Sequence, residues 1–279
     1  MSAQLAVVGA INLDLVASVD NAPRPGETVL GSDLRRLPGG KGANQAIAAA
    51  RLGAQVDMIG ALGDDDAGAE LLAALHESGV DTSRVQVVHG ASGVALIVVD
   101  SAGENSIVVC PGAGLHIDAR SVTVTPGAAV LAQLEVDLAV IEQVAWRATG
   151  PFFLNVSPVR DLSRGLRDRV DLFVVNQGEY EASPFLATAP RVVLTLGAEG
   201  AVLLKRGRVV AKARVRAERV VNTVGAGDAF TAALVVALLE RRSESDALEV
   251  ACRVGAAAVA DHKSQPTLKP LAFYAPPRT

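Results

Sequence analysis

The turn Thr223-Val224-Gly225-Ala226-Gly227-Asp228 has residue types that could do phosphoryl chemistry. It follows a short apolar run and opens a helix expected over 227–241. Glycine lets the backbone turn sharply there. The first N–H groups of a helix lack internal acceptors, and with the helix dipole they suit a phosphate or the charge on a phosphoryl group in transfer. Asp228 falls in that first turn. Beside an anion cradle, a carboxylate could accept a proton from an attacking hydroxyl. On spacing alone it reads equally well as a favourable first-turn acid. A dinucleotide fingerprint is excluded, because the sixth position of the would-be GxGxxG is Phe230.

A second segment, Pro38-Gly39-Gly40-Lys41-Gly42-Ala43-Asn44-Gln45, also runs directly into a helix. Lys41 is followed by Gly, and no Gly precedes it by five positions, so this is not a phosphate loop of the GxxxxGK[ST] type. Gly39 and Gly40 would let a small ligand approach the backbone. Lys41 and Asn44 could donate to hydroxyls, or Lys41 to a phosphate. A flexible loop with a solvated lysine is the other reading. Cys110 and Cys252 lack CxxC spacing, and the four histidines form no HxxxH or HExxH pair. A disulfide framework and a zinc site are therefore not expected, and a reducing compartment is.

The elements that position these turns follow from periodicity. Short Val/Leu/Ile runs alternate with Ala-rich amphipathic segments, the pattern of βαβ units and a parallel sheet. Buried strands are expected at 5–9, 56–60, 129–134, 152–156, 172–175 and 192–196. Helices are expected at 42–52, 66–78, 137–148, 227–241 and 246–260. In the 42–52 helix Ala43, Ala46, Ile47 and Ala50 share a face, and Gly53 ends it. In the 227–241 helix Phe230, Ala233, Leu234, Ala237 and Leu238 form a similar stripe. Residues 12–35 and 93–110 break the alternation and read as extended. In the second, the turn Ser101-Ala102-Gly103-Glu104-Asn105 joins two apolar runs as a β-hairpin. This extra β-layer reads either as a lid on an α/β core or as an edge extension of the main sheet. No linker or repeat divides the 279 residues, so one domain over 1–279 is expected.

Composition sets the partners. Net charge is −4, charged residues are 20%, and there is no basic run, so no nucleic-acid footprint exists. The longest apolar stretch, 229–239, is well short of the ~20 residues that span a membrane. No charged-then-apolar leader is seen at the start. A cytoplasmic enzyme is expected. The acidic run Asp64-Asp65-Asp66 reads as a helix N-terminal charge cluster.

Taken in chain order, Gly9-Ala-Ile-Asn12-Leu-Asp14, Pro25-Gly-Glu-Thr28, Gly39-Gly-Lys-Gly-Ala-Asn-Gln-Ala46, Gly93-Val-Ala-Leu96, Gly103-Glu-Asn105, Gln133-Leu-Glu135, Asn176-Gln-Gly-Glu179, Thr195-Leu-Gly197 and Gly225-Ala-Gly-Asp228 form an ordered set. Across nearly its whole length the chain resembles the ribokinase-like, PfkB-type carbohydrate kinases. The resemblance implies a Rossmann-like three-layer α/β/α core with a small β-sheet lid, built from segments about 12–35 and 93–110, that also makes a homodimer contact. It implies that Asn12, Asp14, Gly39, Gly40, Lys41, Asn44 and Glu135 hold the sugar. Asn176, Thr195, Gly197, Gly200 and Gly227 would serve the nucleotide, and Glu179 would approach Mg2+ through water. Gly225, Ala226 and Gly227 would supply the anion hole, with Asp228 as general base. ATP and Mg2+ are the implied cofactors. The implied reaction is phosphorylation of D-ribose at O5. Deoxyribose, fructose or a pseudouridine-like acceptor, and a non-catalytic sugar-binding regulator, are the competing readings.

The chain also departs from that pattern. The family carries a carboxylate where this chain has Asn222, and that group helps bind a monovalent cation. The partner loop 260–267 is shorter and lacks the family's glycine. A K+ site over Asn222, Val224, Ala260 and Thr267 would thus be altered on both sides. K+ activation is expected to be weakened or absent, with the Lys263 ammonium as one candidate to stand in for the ion; the other reading is a solvent-facing Lys263 and a K+ site that still functions. The span 183–190 reads as a bare connection where the family has a further helix. Val254 stands where a polar residue often touches the nucleotide.

Overall fold

Leu5 and Val7 pack to one side of the first strand, Ala6 and Val8 to the other, and all are buried. A strand with no polar face needs cover on both sides, and helices on both faces of a parallel sheet provide it. The computed structural model describes residues 3–102 and 104–275. Its first half runs β1 (Gln4–Val8), β2 (Asn12–Ser18), β3 (Asp33–Gly39), α1 (Lys41–Arg51), β4 (Gln55–Gly63), α2 (Asp66–Glu77), β5 (Val85–Val88), β6 (Gly93–Val99) and β7 (Asn105–Cys110). There follow β8 (Ala129–Gln133), α3 (Leu138–Arg147), β9 (Phe152–Asn155), α4 (Arg164–Arg169), β10 (Leu172–Asn176) and α5 (Gln177–Glu181). The last part holds β11 (Val192–Thr195), β12 (Ala201–Lys205), β13 (Arg208–Ala213), α6 (Ala226–Leu239) and α7 (Glu244–Ala258).

The main sheet has nine strands in the order β13-β12-β11-β10-β9-β8-β1-β4-β5. It is parallel from β5 to β11, and β12 and β13 close it antiparallel. Helices α1, α2, α6 and α7 contribute to the apolar cluster on one face, and α3 and α4 to that on the other. This is a three-layer α/β/α core. A separate four-stranded sheet runs β3-β2-β6-β7, so the extra β-layer is not an extension of the main sheet. Its hairpin pairs Val99 with Asn105, and Asp100 Oδ1 accepts from the N–H groups of Ala102 and Glu104 inside the turn. Gly103 of that turn lies outside the described residues.

Helix ends follow local chemistry. Asp65 caps α2 by accepting from the Gly68 N–H, which accounts for part of the acidic run. Asn176 and Glu179 make reciprocal bonds across the start of α5, a capping box. Two expectations need correction. Residues 228–237 of α6 are buried around the whole helix, not along one stripe, because α1 and α7 pack on it and it faces the sheet. A helix apolar on every side has no solvent face to present. Span 183–190 is not bare either. It holds a 3-10 turn at Pro184–Thr188 that buries Leu186 and sets Phe185 edge-on to Phe173, centroids 5.5 Å apart.

Candidate active site

The small sheet overhangs the carboxyl ends of the central strands, and a cavity of about 350 Å3 lies between them. Strand β2 lines it with Asn12 and Asp14, the start of α1 with Gly40, Lys41 and Asn44, and the segment after β8 with Glu135. Asn176, Glu179 and Thr195 line its other end, and Val224, Gly225, Gly227 and Asp228 lie at the α6 side. Such residues are gathered by topology, because the ends of parallel strands and the following loops face one crevice.

Two glycines make the turns. Gly40 (φ 85°) precedes α1 so tightly that a Cβ would lie 2.6 Å from the Ala10 carbonyl oxygen. Gly225 (φ 80°) caps α6 in the left-handed region, with the Ser264 carbonyl oxygen where a Cβ would go. The first main-chain bond of α6 runs from Ala229 N to Gly225 O at 2.9 Å. The N–H groups of Gly227 and Asp228 therefore have no acceptor within the helix. That of Ala226 turns back to the Thr223 carbonyl oxygen at 3.3 Å.

Asp228 is buried, and both its oxygens are held. Gln45 Nε2 donates to Oδ1 at 2.8 Å, and Asn44 Nδ2 to Oδ2 at 3.2 Å. Burial pushes this carboxyl up, while Lys41, Gln45 and Asn44 oppose the rise. Asp14 is pushed up to about 7 by burial, then by the charges of Glu135 and Asp228, against Lys41. Burial raises Glu135 too, although the Lys41 ammonium and its N–H, donated to Oε2 at 2.8 Å, counteract it. Burial alone would lower Lys41, but Asp228, Glu135, Glu179 and Asp14 outweigh it and hold the ammonium charged. Four carboxyls thus act on one cation, and Asn12 Oδ1 is buried without a donor. A pocket lined by carboxylates and side-chain amides is chemically matched to a ligand rich in hydroxyl donors.

Other residues named from the sequence fall outside the cavity wall. Gly39 ends β3 with the Asp14 carboxylate packed where its Cβ would be. Gly197 and Gly200 bracket the 3-10 turn between β11 and β12, both at positive φ. Val254 is buried in the apolar cluster between α7 and the sheet, so its side chain does not face the cavity. Asn222 Oδ1 accepts from the Val224 N–H at 3.0 Å, and its Nδ2 donates to the His262 carbonyl oxygen at 3.1 Å. Ala260 is exposed, and the exposed Thr267 donates its N–H to Asp261 Oδ2 at 2.8 Å. Lys263 is exposed as well, so its ammonium is not buried between the two loops.

Sequence reasoning gave no role to Gln45, Asn155 or Gln265. Gln45 did leave a signal, being fully buried in an otherwise alanine-rich stretch. A polar side chain at a core position needs a partner.

Residues 2–270 match the family described as pfkB family carbohydrate kinase. The ribokinase of Bacillus subtilis (strain 168) is 37% identical over 285 residues, covering 94% of this chain and 94% of that protein. That of Haemophilus influenzae is 34% identical, covering 93% and 92%. Among solved structures, Arabidopsis thaliana ribokinase complexed with ribose and ATP superposes with a TM-score of 0.84 at 28% identity, covering 98% of each chain. A family match over nearly the whole length, on a fold that gathers Asn12, Asp14, Lys41 and Asp228 around one cavity, places this chain in the pfkB family of carbohydrate kinases.

Proposed function

We propose that the protein is an ATP-dependent ribose kinase that phosphorylates the primary hydroxyl of D-ribose at O5. The observation that carries this reading is the shared cavity. Asp228, at the amide end of α6, lines the same space as the acceptor-rich set Asn12, Asp14 and Glu135. The ribokinases it resembles, and the ribose and ATP of the Arabidopsis complex, support the choice of substrates.

In this reading Asn12, Asp14, Lys41, Asn44 and Glu135, with the backbone at Gly39 and Gly40, hold the sugar hydroxyls. Asp228 takes the proton of the attacking hydroxyl as it displaces ADP from the γ-phosphorus. The N–H groups of Gly225 and Gly227, with that of Ala226 once it leaves the Thr223 carbonyl oxygen, stabilise charge on the phosphoryl group in flight. A loose transition state asks for positioning and charge complementarity more than for a strong base. Asn176 and Thr195 lie towards the phosphates, with Gly197 and Gly200 on the nucleotide side. The small sheet covers the sugar and excludes water.

No group of three or more His, Cys, Asp or Glu among the described residues could hold a metal ion. Mg2+ fits here as an ion carried by the nucleotide phosphates, with Glu179 reaching it through water. When bound it neutralises charge between the β- and γ-phosphates. For a monovalent cation the fit is poor. Asn222 offers an amide already engaged at both ends, so the loops at 222–224 and 262 are joined by a hydrogen bond. We infer that K+ is dispensable.

Asp228→Asn tests the central role. It should lower kcat at least ~10²-fold with ribose binding retained. Turnover near wild type in that variant would refute the role of Asp228. Absence of ribose phosphorylation across a panel of sugars, with another sugar turned over, would replace the substrate.

A further inference from the structure

Asp228 receives two side-chain amide donors, and the orientation of each is forced from a main-chain carbonyl. The Val174 carbonyl oxygen can only accept, so the Asn155 group facing it at 3.0 Å is Nδ2. This turns Asn155 Oδ1 towards Gln45, which must then present Nε2, at 3.0 Å. The same Nε2 has a second hydrogen, and it goes to Asp228 Oδ1 at 2.8 Å. In that orientation Gln45 Oε1 accepts from Gln133 Nε2 at 2.5 Å.

The other oxygen is served in the same manner. Gln265 Nε2 faces the Pro38 carbonyl oxygen at 3.1 Å, and it also donates to Asn44 Oδ1 at 3.0 Å. Asn44 is thereby left with Nδ2 towards Asp228 Oδ2. Asn44 lines the cavity whereas Gln45 is wholly buried, so Oδ2 is the oxygen on the cavity side. Reversing either amide would set an oxygen against the carboxylate.

We propose that Gln45 and Gln265 are positioning residues for phosphoryl transfer: two amide relays, one through Asn155 and one through Asn44, fix the plane of the Asp228 carboxylate and favour its charged form. The proposal rests on the reading of Asp228 as the group that takes the hydroxyl proton. Physically, donors that bind the charged form lower a carboxyl's proton affinity, and burial would otherwise raise it. Held from below, Oδ1 cannot swing, and Oδ2 keeps a lone pair for the substrate.

The test compares Gln45→Met and Gln265→Met with wild type and Asp228→Asn, reading kcat, KM for ribose and ATP, and the pH profile of kcat/KM. Loss of one hydrogen bond to a charged group predicts a fall in kcat of roughly 10- to 100-fold in Gln45→Met, and a smaller fall in Gln265→Met. The acid limb should move to higher pH in both, with KM for ATP unchanged. A merely structural role would lower the active fraction and leave the profile of the remaining turnover where wild type has it; that outcome overturns the proposal. Should Gln45→Met fail to fold, the partly exposed Gln265 decides, and a wild-type profile in Gln265→Met is equally fatal. Normal turnover in Asp228→Asn would refute the underlying reading. An inactive Asp228→Asn beside unshifted methionine variants refutes the relays alone.

Discussion

Asp14 shows what burial does to a carboxyl in this cavity. It is 7% exposed, its carboxyl is pushed up to about 7 by burial and then by Glu135 and Asp228, and Lys41 only partly compensates. The folded state thus holds this proton more tightly than the unfolded chain does. Between pH about 4 and about 7 the native protein binds more protons, so stability from this group is present at low pH and lost as pH rises through that window. From 3.8 to about 7 the shift amounts to at most about 4 kcal/mol, one unit being worth about 1.4 kcal/mol. Asp14→Asn removes the titration. Without ligand, its Tm should exceed that of wild type at pH 8 and approach it at pH 4, by calorimetry. An offset of equal size at both pH values would contradict this account. The same variant should bind ribose ~10-fold or more weakly, because a charged acceptor is lost. Stability set aside at a binding position is common where a site must keep polar groups ready.

Among the elements, the two loops beside Gly225 are joined by a side-chain hydrogen bond, and the inference that K+ is dispensable rests on it. The Asn222 amide joins Val224 to His262, and Asp261 organises the following turn by accepting from the N–H groups of Lys263 and Thr267. Turnover should therefore be unchanged when K+ is exchanged for a large organic cation at equal ionic strength. Strong stimulation by K+ would show that the amide does not replace the ion. This level of organisation was only partly legible. Strands announced themselves because β-branched runs bounded by turn residues have few other uses, and β1, β8 and β10 lie where periodicity puts them. Residues 228–237 of α6 looked one-sided because alanines are silent about which way they face. The 3-10 turn at Pro184–Thr188 carries no periodic signature.

At the scale of the whole molecule, the small sheet has an unpaired edge. Every residue of β7 is exposed, and its Ile107 and Val108 show 49% and 60% of their surfaces. An apolar edge of this kind invites another strand or sheet. We propose a second copy of this chain as its partner. Sedimentation at micromolar concentration should find a dimer, and Val108→Asp should shift it towards monomer; a wild-type monomer would exclude the interface. The residues gathered on the cavity wall were legible where they lie within short motifs around Asp14 and Lys41. The relays were not. Gln265 meets Asn44 across 221 positions and Gln45 meets Asp228 across 183, and a single sequence carries no mark that such residues touch. The two-sheet arrangement has one further consequence, for how such a protein diversifies. Asp228 rides on a helix enclosed by its neighbours, while Ala95, Ile97 and Ile107 look into the same cavity from the smaller sheet. Ala95 and Ile97 belong to a small apolar cluster apart from the two main ones, so substitutions there leave the main core packing in place and the choice of acceptor is open to single steps of descent.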